Sequence, residues 1–155
     1  MQIVTFAAAG GVHAIPVLAG EELLRPAPVT PVPRSDPRVA GLMNLRGKSA
    51  TVLHLRACFA RPTGEPARCP KMILLETADR LTDEARELGV KAFNDPVVLL
   101  VDRILDIFSV GPKDIHPRPA HIAEPFVAGV IRHAGEYVSL LEMTTLISNI
   151  LNSQV

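Results

Sequence analysis

Short apolar runs recur along the chain, and glycine or proline interrupts them at short intervals. Val12–Val17, Ala50–Leu55 and Met72–Leu75 have the length and residue types of β-strands, and Val97–Phe108 contains two further β-rich runs. Gly and Ser within Arg46–Ser49 indicate a turn that leads into the second of these strands. The pattern predicts an all-β fold of short strands joined by turns.

Four segments depart from this strand pattern. Thr77–Asn94 is charged and rich in helix formers, and its apolar positions at helical spacing predict an inserted helix near 79–89. Glu142–Leu151 predicts a C-terminal helix. Arg25–Pro37 contains five prolines and must be a loop or an edge strand, because proline has no amide hydrogen for a central strand. A second proline-bearing loop is expected at Pro112–Pro125.

An internal repeat is the most informative feature of the sequence. Val39-Ala40-Gly41 recurs as Val127-Ala128-Gly129, and Arg46-Gly47-Lys48 aligns with Ala134-Gly135-Glu136 at the same offset of 88 residues. Around both copies the order is a strand pair, a proline loop, the Val-Ala-Gly strand, a glycine turn, a strand and a short helix. A unit of this size is marginal alone, so two units should share apolar surface.

The repeat therefore predicts two five-stranded barrels in a pseudo-two-fold arrangement, with a groove between them. We expect one domain over 1–155, with a first lobe at roughly 12–76 and a second at roughly 95–145. The chain termini should pack across the two lobes.

Charge and composition narrow the possible partners. The 16 basic and 16 acidic residues cancel, but residues 1–75 carry a net charge of +5 and residues 76–155 one of −5. This asymmetry fits either two lobes that attract each other or two faces with different partners. Aromatic residues make up only 4% of the chain, so few rings are available for base stacking and nucleic-acid binding is not expected. The longest aliphatic run, Val97–Val101, is too short to span a membrane.

The chain start has no basic segment before its apolar residues, so we expect a cytoplasmic protein without a signal peptide or membrane insertion. The polar residues of the whole sequence do not form a recognisable catalytic or metal-binding pattern. His116 and His121 are not at i,i+4 spacing, and Cys58 and Cys69 form no CxxC motif. No phosphate-binding glycine loop is present, and Ser49 has no base at a familiar spacing. We expect no enzyme activity, cofactor or metal.

The segment Val39–Arg56 resembles the CheW family. It contains Gly41, the run Asn44-Leu45-Arg46-Gly47 and the triplet His54-Leu55-Arg56. The proline loop before it, the run LLVDRILDI and the closing AGEYVSLLEMTTLI are also similar to that family. The similarity extends over nearly the whole chain except residues 77–95.

The resemblance implies two five-stranded, SH3-like barrels and a scaffold without catalysis. Proteins of this family couple the cytoplasmic tips of chemoreceptors to the regulatory domain of a CheA-type histidine kinase. The positions that the resemblance implies in partner binding are Gly20, Glu22, Leu23, Gly41, Asn44, Arg46, Gly47 and Gly129. The alternative is a regulatory or decoy module of another two-component system that binds only one partner.

Three departures from the family pattern bear on the partner. Gly20 stands where an aliphatic residue is usual, His54 replaces an aspartate, and residues 77–95 replace a tight connection. Arg46 itself has two interpretations: an ordinary surface arginine of a turn, or a residue that binds a partner or organises the groove. The five N–H donors of its guanidinium suit the second interpretation.

Overall fold

A computed structural model describes residues 1–17, 20–34, 36–75 and 96–153. Its strands are β1 Gln2–Ala8, β2 Gly11–Pro16, β3 Gly20–Leu24, β4 Val39–Leu45, β5 Lys48–His54, β6 Lys71–Leu75, β7 Val97–Val101, β8 Arg103–Ser109, β9 Ile115–His116, β10 Val127–His133 and β11 Glu136–Leu141. The helices are α1 Leu55–Cys58 and α2 Met143–Ser153, with a 3₁₀ turn at Pro112–Asp114. The predicted all-β class and C-terminal helix are confirmed. The helix predicted near 79–89 lies outside the described residues.

Two sheets with matching strand order form the molecule. The first lobe is the five-stranded sheet β3-β6-β7-β5-β4, and the second lobe is the six-stranded sheet β8-β1-β2-β11-β10-β9. Each sheet has one parallel pair, β5 with β7 and β2 with β11, among antiparallel neighbours. The segment after β3 returns to β4 at Thr30, which bridges Leu42, and the segment after β8 returns as β9 beside β10. In each sheet, the segment that follows one outer strand therefore pairs with a strand at the opposite side and closes the sheet.

The two copies of the sequence repeat occupy equivalent places. Arg46 and Gly47 have φ angles of +52° and +84°, and Ala134 and Gly135 have +51° and +79°. Two successive positive φ angles are what a two-residue type I′ hairpin turn requires, and glycine adopts the second without a steric cost. The prediction that these two glycines serve the same kind of turn is confirmed.

The sheets divide the chain at other residues than the repeat suggested. Strand β2, expected to open the first lobe of 12–76, pairs with β1 and β11 in the second lobe. Strand β7, expected to open the second lobe of 95–145, pairs with β5 and β6 in the first. The reason is the parallel pair in each sheet, which joins strands that are distant in sequence. The second lobe is thus built from both ends of the chain.

Strand β7 shows how the core is arranged, because all five of its residues are buried. Val98 and Leu100 point into the interior of the first lobe, while Val97, Leu99 and Val101 face a core shared by both lobes. A strand buried on both faces reads as a continuous apolar run, as this one does. Each fully buried aliphatic side chain contributes about 1.5–3 kcal/mol. Side chains of α2 complete the shared core, namely Met143, Leu146, Ile147 and Ile150.

Candidate functional site

Five of the predicted site residues lie at one end of the first lobe. Glu22 and Leu23 are on β3, and Asn44, Arg46 and Gly47 belong to the end of β4 and its turn. Strands β3 and β4 are the two outer strands of this sheet. The guanidinium Nη2 of Arg46 donates to Glu22 Oε1 and forms an ion pair across them. The fold therefore connects residues that are 24 positions apart in the sequence.

The β4–β5 turn determines where the Arg46 side chain points. Asn44 Oδ1 accepts a hydrogen bond from the Gly47 amide at 2.9 Å, which ties the strand end to the turn. The Arg46 side chain remains 62% exposed and that of Glu22 37% exposed. An ion pair this accessible contributes little to folding, on the order of 0.2–1 kcal/mol. Its effect is to hold two charged side chains in one place on the surface.

Gly41 has a close-packing role. A Cβ atom at this position would lie 2.2 Å from the backbone oxygen of Thr30, and the φ angle is +150°. The missing side chain lets the loop after β3 cross β4, where Thr30 and Leu42 exchange hydrogen bonds of 2.8 and 2.9 Å. Gly41 therefore allows the loop after β3 to pack directly on β4, the strand that carries Leu42 and Asn44.

Gly129 and Gly20 differ from the group at the β3–β4 end. Gly129 lies on β10 of the second lobe, where a Cβ would be 2.7 Å from the oxygen of His116. It repeats the role of Gly41, and the structure does not bring it to the other predicted residues. Gly20 begins β3 opposite Leu75, next to a bulge before Glu22.

Two exposed apolar side chains lie on the same outer strands that the ion pair joins. Leu23 of β3 is 59% exposed and Leu42 of β4 is 38% exposed. We call Glu22, Leu23, Leu42, Asn44 and Arg46 the first-lobe face. Sequence reasoning missed Leu42, because Val39–Met43 is apolar throughout and gives no alternation signal, whereas in the structure only its neighbours Gly41 and Met43 are buried. A patch of apolar side chains within a polar rim is typical of surfaces that bind other proteins, whereas single exposed apolar residues are common on any protein.

A cleft of about 290 Å³ opens elsewhere, between α1 and the loop before β10. Its lining includes Arg38, Cys58, Phe59, Glu124, Phe126 and Leu146. Burial raises the pKa of the Cys58 thiol to about 12, so the thiol stays protonated at neutral pH and is not an activated nucleophile. Arg38 donates to Asp36 at 2.9 Å, and Glu124 accepts from the Ala60 amide at 3.3 Å. The polar groups of the cleft are engaged in structural contacts.

Two further features do not occur in the part of the chain that the structure describes. No group of three or more His, Cys, Asp or Glu among these residues is placed to hold a metal ion. None of the helices in the described part of the chain is long and apolar enough to cross a membrane.

The topology places the molecule in the class of proteins with two small β-lobes packed on a shared core. The family model of the CheW-like domain matches residues 2–151, and the chain belongs to this family. The resemblance noted in the sequence is thereby confirmed.

The curated relatives have similar lengths. The chain is 24% identical over 148 residues to the chemotaxis protein CheW of Rhizobium meliloti (strain 1021), covering 94% of this chain and 86% of the relative. It is 23% identical over 151 residues to the chemotaxis protein CheW of Treponema pallidum (strain Nichols), covering 96% and 82%. The crystal structure of the scaffolding protein TtCheW from Thermoanaerobacter tengcongensis superposes with a TM-score of 0.76 at 20% identity, covering 94% of this chain and 86% of that one. This similarity shows that the two chains share a fold.

Proposed function

We propose that this protein is a cytoplasmic, non-catalytic scaffold of chemotaxis signal transduction. It holds the regulatory domain of a CheA-type histidine kinase and the cytoplasmic tip of a chemoreceptor at the same time. Membership of the CheW-like family and the names of both curated relatives support this proposal. The thiol of Cys58, which burial keeps protonated, fits a protein without a reactive centre.

The observation that carries the proposal is the first-lobe face. Leu23 leaves 59% of its surface in water on an outer strand and follows Glu22, the residue that holds Arg46 in place. Covering such a leucine with a partner stabilises the complex by about 1–2 kcal/mol. A charged side chain held in place loses less conformational entropy on binding than a free one. We assign this face to the receptor tip.

The charges of the two lobes support two different partners. Residues 20–75, which supply most of the first lobe, contain nine Lys/Arg and four Asp/Glu, a net charge of +5. Residues 1–17 and 102–153, which form the second lobe, contain four Lys/Arg and six Asp/Glu, a net charge of −2. Potentials of opposite sign select different partners and orient them.

Binding measurements with two matched variants test the assignment. Leu23→Asp is expected to weaken binding of a purified receptor cytoplasmic fragment by about tenfold, which corresponds to about 1.4 kcal/mol. Ile107→Asp puts the same charge at a 62% exposed position of β8, the strand that corresponds to β3 in the second lobe. It should leave receptor binding unchanged. Equal losses in both variants, or no loss in Leu23→Asp, would contradict the assignment.

The second candidate function is a decoy or regulatory module that binds one partner only. One observation favours it: Gly20 supplies no side chain at a β3 position where the family usually has an aliphatic residue. The smaller apolar surface would weaken receptor binding. A decoy would exclude the kinase domain when the receptor fragment is bound, whereas a scaffold would hold both.

A further inference from the structure

The segment Phe59–Gly64 follows α1 of the first lobe and lies against the second lobe. The ring of Phe59 packs on His13 of β2, with ring centroids 4.6 Å apart, and meets Phe126 edge-on at 5.3 Å. The next residue, Ala60, donates its amide hydrogen to Glu124 Oε1 at 3.3 Å. The start of the segment is therefore fixed to the second lobe by both apolar and polar contacts.

The far end of the segment reaches the hairpin turn between β1 and β2. The Thr63 amide donates to the Ala9 oxygen at 3.0 Å, and the Thr63 hydroxyl lies 3.4 Å from the same oxygen. Gly10 follows Ala9 in this turn, with a φ angle of +83°. A Cβ atom at Gly10 would be 1.8 Å from Thr63 Oγ1. Thr63 can therefore sit on this turn only because residue 10 has no side chain.

Arg56 of α1 holds the same end from the first lobe. Its Nη1 donates to the Thr63 oxygen at 3.1 Å and its Nη2 to the Gly64 oxygen at 2.5 Å. Thr63 thus donates its amide hydrogen to the second lobe, and its carbonyl oxygen accepts a hydrogen bond from an arginine of the first lobe. The rigid fork of an arginine is suited to two adjacent acceptors, and the single ammonium group of a lysine lacks this geometry.

We propose that Phe59–Gly64 is an inter-lobe brace and that Arg56 is its positioning residue. The shared core attracts the lobes to each other, but apolar burial is not directional. Hydrogen bonds have preferred angles, so the bonds of Thr63 and Ala60 fix the rotation of one lobe relative to the other. The role of the brace in partner binding rests on the proposed function, because a scaffold with docking surfaces on two lobes needs them at a fixed angle.

Hydrogen exchange of the full chain tests the brace without any partner. Gly10→Ala and Gly135→Ala form a matched pair, since each glycine follows an alanine in a two-residue turn, with φ angles of +83° and +79°. Both variants carry the same backbone strain, but a Cβ at Gly135 meets no atom within 4 Å. Gly10→Ala is expected to speed exchange of the Thr63 amide by at least about tenfold, and Gly135→Ala to leave it unchanged.

Arg56 variants test the positioning role and remain informative if Gly10→Ala does not fold. Arg56→Ala should speed exchange of the Thr63 amide, and Arg56→Lys should restore part of the protection, since one carbonyl can still be bound. Normal protection of Thr63 in both Gly10→Ala and Arg56→Ala would overturn the brace.

Binding to partners separates this proposal from the proposed function. Arg56→Ala is expected to weaken formation of the ternary complex with the kinase domain and the receptor fragment more than it weakens either binary complex. If hydrogen exchange shows that Arg56→Ala has lost the brace but the ternary complex forms as before, the brace has no role in partner binding. If the unaltered protein binds neither partner, the proposed function fails while the exchange result on the brace stands.

Discussion

Arg46 donates to Glu22, and this ion pair joins the two outer strands of the first lobe. Glu22 compensates much of the charge of Arg46, so the arginine does not present an isolated cation to a partner. We infer that its main contribution is to hold the first-lobe face in one shape. An Arg46 that bound a partner carboxylate directly would behave differently under exchange of the two charges.

The first prediction concerns that exchange. Arg46→Glu sets two carboxylates against each other and should weaken receptor-fragment binding by about tenfold. The melting temperature should change by no more than about 2–4 °C, because exposed pairs contribute at most about 1 kcal/mol. The double variant Glu22→Arg with Arg46→Glu should recover most of the binding in the same calorimetric titration. Failure of the double variant to recover would instead assign Arg46 to direct contact.

The second prediction compares two glycines of the same hairpin. Gly41→Ala should destabilise the protein by about 2–4 kcal/mol, because its Cβ would overlap the Thr30 oxygen and its φ is +150°. Gly47→Ala carries only the cost of a left-handed residue, about 1–2 kcal/mol, since no atom lies within 4 Å of its Cβ. Urea unfolding gives both values. Equal costs would show that the Thr30 crossing does not constrain β4.

These two glycines show which parts of the fold can be predicted from the sequence. The Val-Ala-Gly repeat and the glycine turns predicted equivalent settings for Gly41 with Gly129 and for Gly47 with Gly135, and the structure has both. The repeat did not reveal which strand each lobe takes from the far end of the chain. Parallel pairing such as β2 with β11 leaves no short-range signal, because it depends on the packing of the whole sheet.

The third prediction is a pH dependence that arises from His13. This ring is buried, its Nε2 lies 3.0 Å from the Ala8 oxygen, and its Nδ1 has no hydrogen-bond partner among the described residues. Burial lowers the pKa of His13 below its ordinary value of 6.5, against smaller raising effects of Ala8 and Glu124. Below pH 6.5 the unfolded chain therefore binds a proton at His13 more readily than the folded protein does. The contribution of His13 to the free energy of unfolding should therefore be constant above about pH 7 and fall as the pH is lowered below 6.5.

Urea unfolding of two variants across this range isolates the contribution of His13. His13→Phe keeps a ring beside Phe6 and Phe59 and should flatten the acid side of the stability profile. His121→Gln changes an exposed histidine and should leave the slope as it is. A slope that His13→Phe does not alter would assign the acid sensitivity to other groups.

The fourth prediction concerns the two free thiols. Cys69 is exposed, while Cys58 is partly buried, donates to the His54 oxygen at 3.5 Å and has its pKa raised to about 12 by burial. Only the thiolate reacts with alkylating agents, so iodoacetamide at neutral pH should modify Cys69 first. Cys58 should react when the protein is unfolded. Mass spectrometry after timed quenching, with Cys69→Ser as the control, measures both rates, and early labelling of Cys58 would contradict the structure.

The candidate site was predictable in part. Asn44, Arg46 and Gly47 form a recognisable sequence motif, and the structure places them in one turn. The partner of Arg46 was not visible, because Glu22 comes from a strand 24 residues earlier and meets it only when the sheet folds back on itself. Leu42 could not be predicted either, because its exposure depends on which face of β4 the lobe covers.

The most direct measurement is the mass of the complex that forms in a mixture of the protein, the kinase regulatory domain and the receptor fragment. Light scattering on a size-exclusion column provides this mass. A scaffold should give a single species that contains all three chains and is heavier than either binary complex. Two binary species in proportions that depend on the amounts mixed, with no ternary peak, would mean that the partners compete and that the protein is not a scaffold.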